Sequence, residues 1–339
     1  MKRRAVIEEA IGESRAAVFE GKRLVELYSW RWSDKAKPRS GDIFAGRITR
    51  IEPSLGAAFV DLGHGENGFL KFSNAPGAPR LTEGRYIHAL VTRDAEPGKG
   101  PVLKFHDICE TTSIGPVKTR TLPEFLSSRF PNIKLDYAAV NSLEGALETQ
   151  IAIPEGGSIS IEKTRALIAI DIDKGSANSG FDVSLAACEL IASQIRLRGL
   201  GGLIVIDFPN LRQNRQRQKV CEAIEHAFED DPEVIKIAPI SRFGALEMTR
   251  SKARLSLDET LMKHNRVEPS DETVALQAVR QLEREGGIHP GAKLTLSVPD
   301  AAFDWLESGI IDWRAALTER LGARFTVIRG AAIHVEADR

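Results

Sequence analysis

The chain has 339 residues, enough for two or three domains that each bury their own core. Hydrophobic residues make up 42% and charged residues 27%, and the formal net charge is −1, so no global excess of cations advertises a polyanion partner. A nucleic-acid site must therefore come from local clustering, and Cys109, Cys188 and Cys221, with no CxxC pair and no histidine at zinc-finger spacing, argue against a zinc finger and for buried thiols in a reducing compartment.

The start, MKRRAVIEEA, is basic but has no apolar h-region, and no apolar stretch approaches membrane-spanning length. The expectation is a cytoplasmic protein. Residues 1–35 read as a β-hairpin system, with two β-rich runs around a turn at Glu20-Gly21-Lys22. The polar segment 33–42 reads as a linker. From 42 to 105, short β runs are split by Pro53, Gly56, Gly63, Gly65 and Gly68, the pattern of a small barrel. Its hairpin EPGKG carries Lys99. Residues 118–152 are irregular. From 153 to 255 the texture is α/β: strand ALIAI, a helix ended by Gly199, strand GLIVID, a second helix with Val220, Ile224 and Phe228 on one side, and strand VIKIAPI. That order predicts parallel strands with right-handed crossovers. Residues 256–270 read as a polar loop. The tail 271–339 repeats the α/β texture and reads as a small separate domain.

The segment ALIAIDIDKG has no polar alternation before Asp171, so both faces of its strand are expected to be buried, as in a parallel sheet. Asp171 and Asp173 then point the same way. The next strand also ends in an aspartate, Asp207. Parallel neighbours bring their C-terminal ends to one edge, so Asp171 and Asp207 should meet where α/β sheets bind ligands. Close carboxylates resist joint ionisation, and Mg²⁺ or Mn²⁺, which take oxygen ligands, resolve the conflict. The alternative is that each aspartate only caps the element after its strand.

Basic residues surround this edge. Arg212, Arg215, Arg217 and Lys219 lie about the start of the second helix, the wrong end for the helix dipole, and Arg242, Arg250, Lys252 and Arg254 follow the third strand. They form either a phosphate-binding rim or a solvated basic face. In the barrel, Phe59 and Phe69 either stack bases or pack in the core, with Arg47, Arg50 and Lys99 placed to meet a backbone.

The stretch GRITRIEPSLGAAFVDLGHGENGFL resembles the S1-type RNA-binding barrel of the bacterial ribonuclease E/G family. IAIPEGGSISIEKTRALIAIDIDKG, QIRLRGLGGLIVIDF and ISRFGALEMTR resemble that family's catalytic region in the same order, and ETVALQAVRQLERE resembles the start of its small C-terminal domain. The resemblance implies an α/β (α+β multidomain) chain: an RNase H-like part (1–38 and 109–152) interrupted by an OB-fold S1-type barrel (39–108), then a DNase I-like catalytic domain (153–257) and a small α/β C-terminal domain (258–339). It implies a Mg²⁺-dependent endoribonuclease of single-stranded RNA, with Asp171 and Asp207 as metal ligands and Asp173 at the position of a catalytic asparagine. It further implies that Phe59 and Phe69 stack bases and that Lys99 contacts RNA.

Departures from the family pattern are also expected. The module that senses an RNA 5′ monophosphate is missing after the barrel. The CPxC zinc link is missing too: residues 256–270 hold no cysteine, and His264 alone is a poor substitute. The reading is therefore a short endoribonuclease with Asp171, Asp173 and Asp207 as catalytic residues and Phe59, Phe69, Lys99, Arg212, Arg215, Arg242 and Arg250 on RNA. No structural zinc, DNA or membrane partner is expected, and any oligomer is not zinc-linked. The alternatives are an RNA-binding protein that keeps this scaffold without turnover and, on the α/β sheet alone, a phosphatase or nucleotide hydrolase.

Overall fold

The computed structural model describes residues 3–338 except 79, 97, 142, 210, 212 and 264–267. The predictions for Arg212 and His264 therefore lie outside the described residues.

Three antiparallel strands open the chain: β1 (Arg3–Ala10), β2 (Glu13–Glu20) and β3 (Arg23–Arg31). The next strands are β4 (Ile43–Glu52), β5 (Ala57–Asp61), β6 (Gly68–Lys71), β7 (Tyr86–Arg93) and β8 (Val102–Ile108). Because β4 pairs with both β5 and β7, and β6 and β8 complete the circuit, these five strands close into a barrel, as the glycine-split β runs predict. Alternate residues fill it: Phe44, Ile48, Val60, Leu70, Ile87, Val91 and Leu103 are buried. The short strand β9 (Gly115–Lys118) adds to β4, so the barrel's sheet extends past residue 108.

After helix α1 (Leu122–Arg129), β10 (Lys134–Tyr137) returns to pair parallel with β1, Arg4 opposite Lys134. Chain on both sides of the barrel thus builds one sheet, and the barrel is an insertion into it.

Next come β11 (Gln150–Ala152), β12 (Ser158–Lys163), β13 (Ile168–Asp173), α2 (Gly180–Arg198), β14 (Gly202–Asp207), α3 (Asn214–Ala227), β15 (Ile235–Ile237) and β16 (Ala245–Arg250). Gly199, at φ +65°, ends α2 in the left-handed conformation that favours glycine. The sheet order is β11-β12-β13-β14-β16-β15. Only β13 and β14 are parallel neighbours. The expected third parallel neighbour, β15, runs in the predicted direction but sits at the edge, because the antiparallel β16 lies between it and β14.

A second expectation fails. Both helices pack on one face, where Ile168, Ile170, Ile172, Ile204 and Ile206 meet Cys188, Ile191, Ile195, Val220 and Ile224. The other face, carrying Ala169, Asp171, Asp173, Leu203, Val205 and Asp207, is open or partly open. The run ALIAI looked two-sided because alanine at 166 and 169 scores as apolar while burying little area.

The polar segment 256–270 contains a short helix, α4 (Leu257–Leu261). The tail forms α5 (Asp271–Ile288), β17 (Lys293–Val298), α6 (Asp300–Glu307), α7 (Trp313–Leu321), β18 (Phe325–Arg329) and β19 (His334–Asp338), with sheet order β18-β17-β19. It has its own sheet and core and is docked on the N-terminal strands. Its core includes Ile11 and Trp32, and Arg31 binds Glu272 at 2.9 Å while Arg280 pairs with Glu13. Among the described residues no helix is long and apolar enough to cross a membrane.

The barrel is fixed to the six-stranded sheet by charge. Asp94, at the end of β7, accepts from the backbone N–H groups of Ser40 (2.6 Å) and Leu255 (3.1 Å). Lys252, just after β16, reaches Glu96 of the barrel (3.3 Å) and Glu259 of α4 (2.9 Å), and Glu259 also meets Lys163 of β12 at 2.8 Å. Burial would raise the Glu259 carboxyl, but Lys163 and Lys252 hold it down at about 2, from an ordinary 4.5. Its stabilisation is therefore complete above pH 4.5 and is lost as pH falls from there toward 2. Glu259→Gln should be less stable than the parent by about 3 kcal/mol near neutral pH, from the size of that shift. The difference should shrink to near zero toward pH 2, measured by denaturant unfolding across that range.

Candidate functional site: a carboxylate edge joined to an aromatic cleft

Parallel pairing of β13 and β14 puts Asp171 directly opposite Asp207. Adjacent strands lie about 4.8 Å apart, and paired residues face the same side, so the two carboxylates are neighbours on the open face. Both are exposed. Asp173 lies two residues on, on the same face, with Oδ1 accepting from the Gly175 N–H at 2.9 Å. The sequence expectation that these aspartates share one edge is met, though on a sheet covered on one side only.

The face is acidic beyond these residues. Glu162, opposite Ala169, and Glu247, opposite Val205, are exposed on it as well. Among the described residues no side chain donates to Asp171 or Asp207, and no group of three or more metal-type ligands is present. Two adjacent oxygen donors without a protein cation suit a hard divalent ion that keeps water on its remaining positions.

The basic residues divide. Arg215, at the start of α3, and Arg242, in the turn between β15 and β16, are exposed on the side of the sheet where β14 ends. Arg217 donates from Nε to the Leu211 carbonyl (2.9 Å) and stabilises its own loop. Arg250 corrects the sequence reading. It is 4% exposed, paired with Asp231 at 3.0 Å and bonded to the Leu200 carbonyl at 2.7 Å, at the opposite end of β16 from Asp207. A buried, fully engaged guanidinium is not open to a phosphate. Lys252 and Arg254 are likewise engaged, the latter with Glu26 and over the Tyr28 ring.

In the barrel, Phe59 and Phe69 are cross-strand partners on β5 and β6, both half-buried, with ring centroids 5.7 Å apart. The Arg50 guanidinium lies 4.4 Å over the Phe59 ring. That face of Phe59 is occupied, and Phe69 is the freer platform. With Asn67, Arg93 and Lys99 they line a cleft of about 520 Å³. Lys99 is exposed on a tight turn closed by mutual backbone bonds with Glu96. Gly100 lets this turn approach Asn67: a Cβ there would lie 1.9 Å from the Asn67 carbonyl oxygen.

Arg93 and Lys99 also line a groove of about 1000 Å³ that continues onto the sheet past Arg165, Ile168 and Leu203. Leu203 shares its face with Val205 and Asp207, four residues along, or about 13 Å. The aromatic cleft and the carboxylates thus lie along one surface, which the sequence did not disclose.

Residues 115–253 match the model of the ribonuclease E/G family. Ribonuclease E of Escherichia coli (strain K12) is 41% identical over 131 residues, covering 37% of this chain and 12% of that protein. The chloroplastic ribonuclease E/G-like protein of Arabidopsis thaliana is 35% identical over 130 residues, or 36% of this chain and 13% of that one. Ribonuclease G of Salmonella typhimurium (strain SL1344) is 31% identical over 161 residues, or 44% of this chain and 33% of that one. The chain thus spans a third or less of the length of these relatives, and its central region is similar to ribonucleases E and G. The residues matched by the family model include Asp171, Asp173 and Asp207 and leave out Phe59, Phe69 and Lys99.

Two unscreened carboxylates side by side repel. In metal-free buffer, Asp207→Asn should unfold at a temperature equal to or above that of the parent. Millimolar Mg²⁺ or Mn²⁺ should raise the melting temperature of the parent and leave the variant unmoved, read by calorimetry with and without the ion.

Proposed function

We propose that the chain is an endoribonuclease that cuts single-stranded RNA with the help of Mg²⁺ or Mn²⁺. The observation that carries this reading is the Asp171–Asp207 pair, exposed on an acidic sheet face whose opposite end, at Ile168 and Leu203, opens into a groove shared with the aromatic cleft. Relation of residues 115–253 to the ribonuclease E/G family supports it. In this reading the barrel is the S1-type, OB-fold element, the sheet with β1 and β10 is RNase H-like, and the sheet with β13 and β14 is DNase I-like.

Asp171 and Asp207 would hold the ion, which supplies an activated water and neutralises charge on the phosphate when bound. Phe69 stacks a base and Lys99 meets the backbone beside it, while Arg215 and Arg242 meet phosphates near the carboxylates. Asp173, oriented by the Gly175 N–H, faces the same edge and would assist the ion or its water. Cleavage would leave a 5′-phosphate and a 3′-hydroxyl. Without a cation the acidic face repels RNA, and replacing one carboxylate removes part of that repulsion along with the ion, so affinity is carried by the aromatic and basic contacts. Asp173 in place of the family's asparagine adds a negative charge, which favours a second reading: an RNA-binding protein on this scaffold with little turnover. The protein is read as cytoplasmic, without DNA or membrane partners, without structural zinc and not zinc-linked if it oligomerises.

Cleavage of a labelled unpaired RNA in Mg²⁺ tests the reading. Asp171→Ala and Asp207→Ala should each abolish cutting with little loss of RNA affinity; a rate near that of the parent would show that the metal assignment is wrong. An inactive parent that still binds RNA through Phe69 would favour the second reading.

Phe69→Ala should weaken binding by about 1–3 kcal/mol, the value of one stacked base, with little change in melting temperature. Unchanged affinity with a large drop in melting temperature would make Phe69 a packing residue. Without a 5′-sensing module, the cutting rate should not depend on whether the RNA begins with a monophosphate or a hydroxyl. A several-fold preference for the monophosphate would refute this.

A further inference from the structure

Phe243 is 81% exposed, the most open of the large apolar side chains among the described residues. Single exposed apolar residues are ordinary on protein surfaces, so exposure by itself says little. Its setting says more. The turn 241–244 is tightly bonded: Ser241 N–H donates to the Ala245 carbonyl (2.9 Å), Gly244 N–H to the Ser241 carbonyl (3.1 Å) and Phe243 N–H to Ser241 Oγ (3.3 Å). The ring is therefore held out by a fixed backbone. Its only ring contact among the described residues is the Arg242 guanidinium, 4.8 Å from the centroid.

This turn abuts the carboxylate edge. Ala245 is the register partner of Asp207. The Gly244 carbonyl accepts from the Phe208 N–H at 3.4 Å, and a Cβ built on Gly244 would lie 3.9 Å from Asp207 Oδ1. The groove from the barrel reaches the same strands at Ile168 and Leu203, the opposite end. The carboxylates thus lie between an aromatic cleft on one side and an exposed aromatic with its own cation on the other.

We propose that Phe243 is a second base-stacking platform, taking an unpaired base on the far side of the scissile phosphate from the barrel, with Arg242 pairing the adjacent phosphate. This rests on the function proposed above and deepens it: the substrate must be unpaired on both sides of the cut. An aromatic face with a guanidinium beside it fits a base and its phosphate, because every base offers a π-face and every linkage an anion. The acidic sheet between the platforms repels the backbone, so a grip on each side holds the strand there when an ion is bound or when one carboxylate is neutralised, as in Asp207→Asn.

The test uses the full chain and a fluorescein-labelled unpaired RNA. Affinity is measured in the Asp207→Asn background and cleavage in the parent background. Phe243→Ala should weaken binding and lower kcat/KM about tenfold, with the melting temperature unchanged because the ring meets, among the described residues, only the guanidinium of the exposed Arg242. Phe243→Trp should restore both and Phe243→Leu should not, since leucine keeps apolar area without a π-face. One abasic nucleotide near the cut should abolish the difference between parent and Phe243→Ala. If Phe243→Ala matches the parent while Phe69→Ala weakens binding, this inference falls and the function proposed above stands. If Phe243→Ala leaves RNA affinity intact but removes concentration-dependent self-association, the ring is a contact between copies and the inference is likewise overturned. If the parent binds no RNA, both fall.

Discussion

A carboxylate with no exposed surface, that of Glu26, sits where the pieces of this chain converge. Burial alone would push it up, yet Arg129 and Arg254 keep it below the ordinary carboxylate range, with the Tyr28 hydroxyl donating to it. Arg129 comes from α1, after the barrel, and Arg254 from the segment leaving β16. Arg129 also reaches Glu233, ahead of β15. A buried charge tolerates little displacement of its partners, because any one of them withdrawn leaves the others uncompensated. The N-terminal sheet, the chain returning from the barrel and the six-stranded sheet are therefore held in one arrangement by one ionised group. The barrel's own ties, Asp94 and Lys252, attach within this same stretch of chain after β16.

That arrangement is what makes a site out of separate parts. The aromatic cleft and the carboxylate pair belong to elements far apart in sequence. In the proposed function each supplies one half of the site, a stacking surface or a cation-binding pair. Their placement on one surface depends on the barrel being set against the starts of β13 and β14, where the groove from the barrel reaches the sheet. The same junction consumes cations that a sequence reading assigns to a ligand. Lys252 and Arg254 hold the chain together, and Arg250 neutralises Asp231.

The one-sided sheet explains the electrostatics. With helices on both faces, Asp171, Asp173 and Asp207 would be left only the strand ends. With one face open, they join Glu162 and Glu247 on an acidic surface that a polyanion meets only with a counter-ion between. In the proposed function cations are then needed at the margins, where Arg215, Arg242, Lys99 and Arg165 are exposed.

The sequence by itself determined the order of the elements and which aspartates meet at one sheet edge. Strand periodicity with glycines at corners marked the barrel; strand–helix–strand texture marked the parallel pair; and an aspartate at each strand end located the carboxylate edge. These are local signals, since side-chain alternation and crossover handedness follow from backbone geometry. Only the tertiary structure decided which face of the sheet is covered, that β16 intervenes before β15, that the tail docks on Ile11 and Trp32, and that Arg250 is structural while Phe243 is exposed. The reason is physical: an arginine reads alike whether it meets a phosphate or a buried aspartate, and a phenylalanine reads alike in a core or on a turn. What separates them is the set of neighbours brought in from distant chain, and spacing along the sequence carries no record of that.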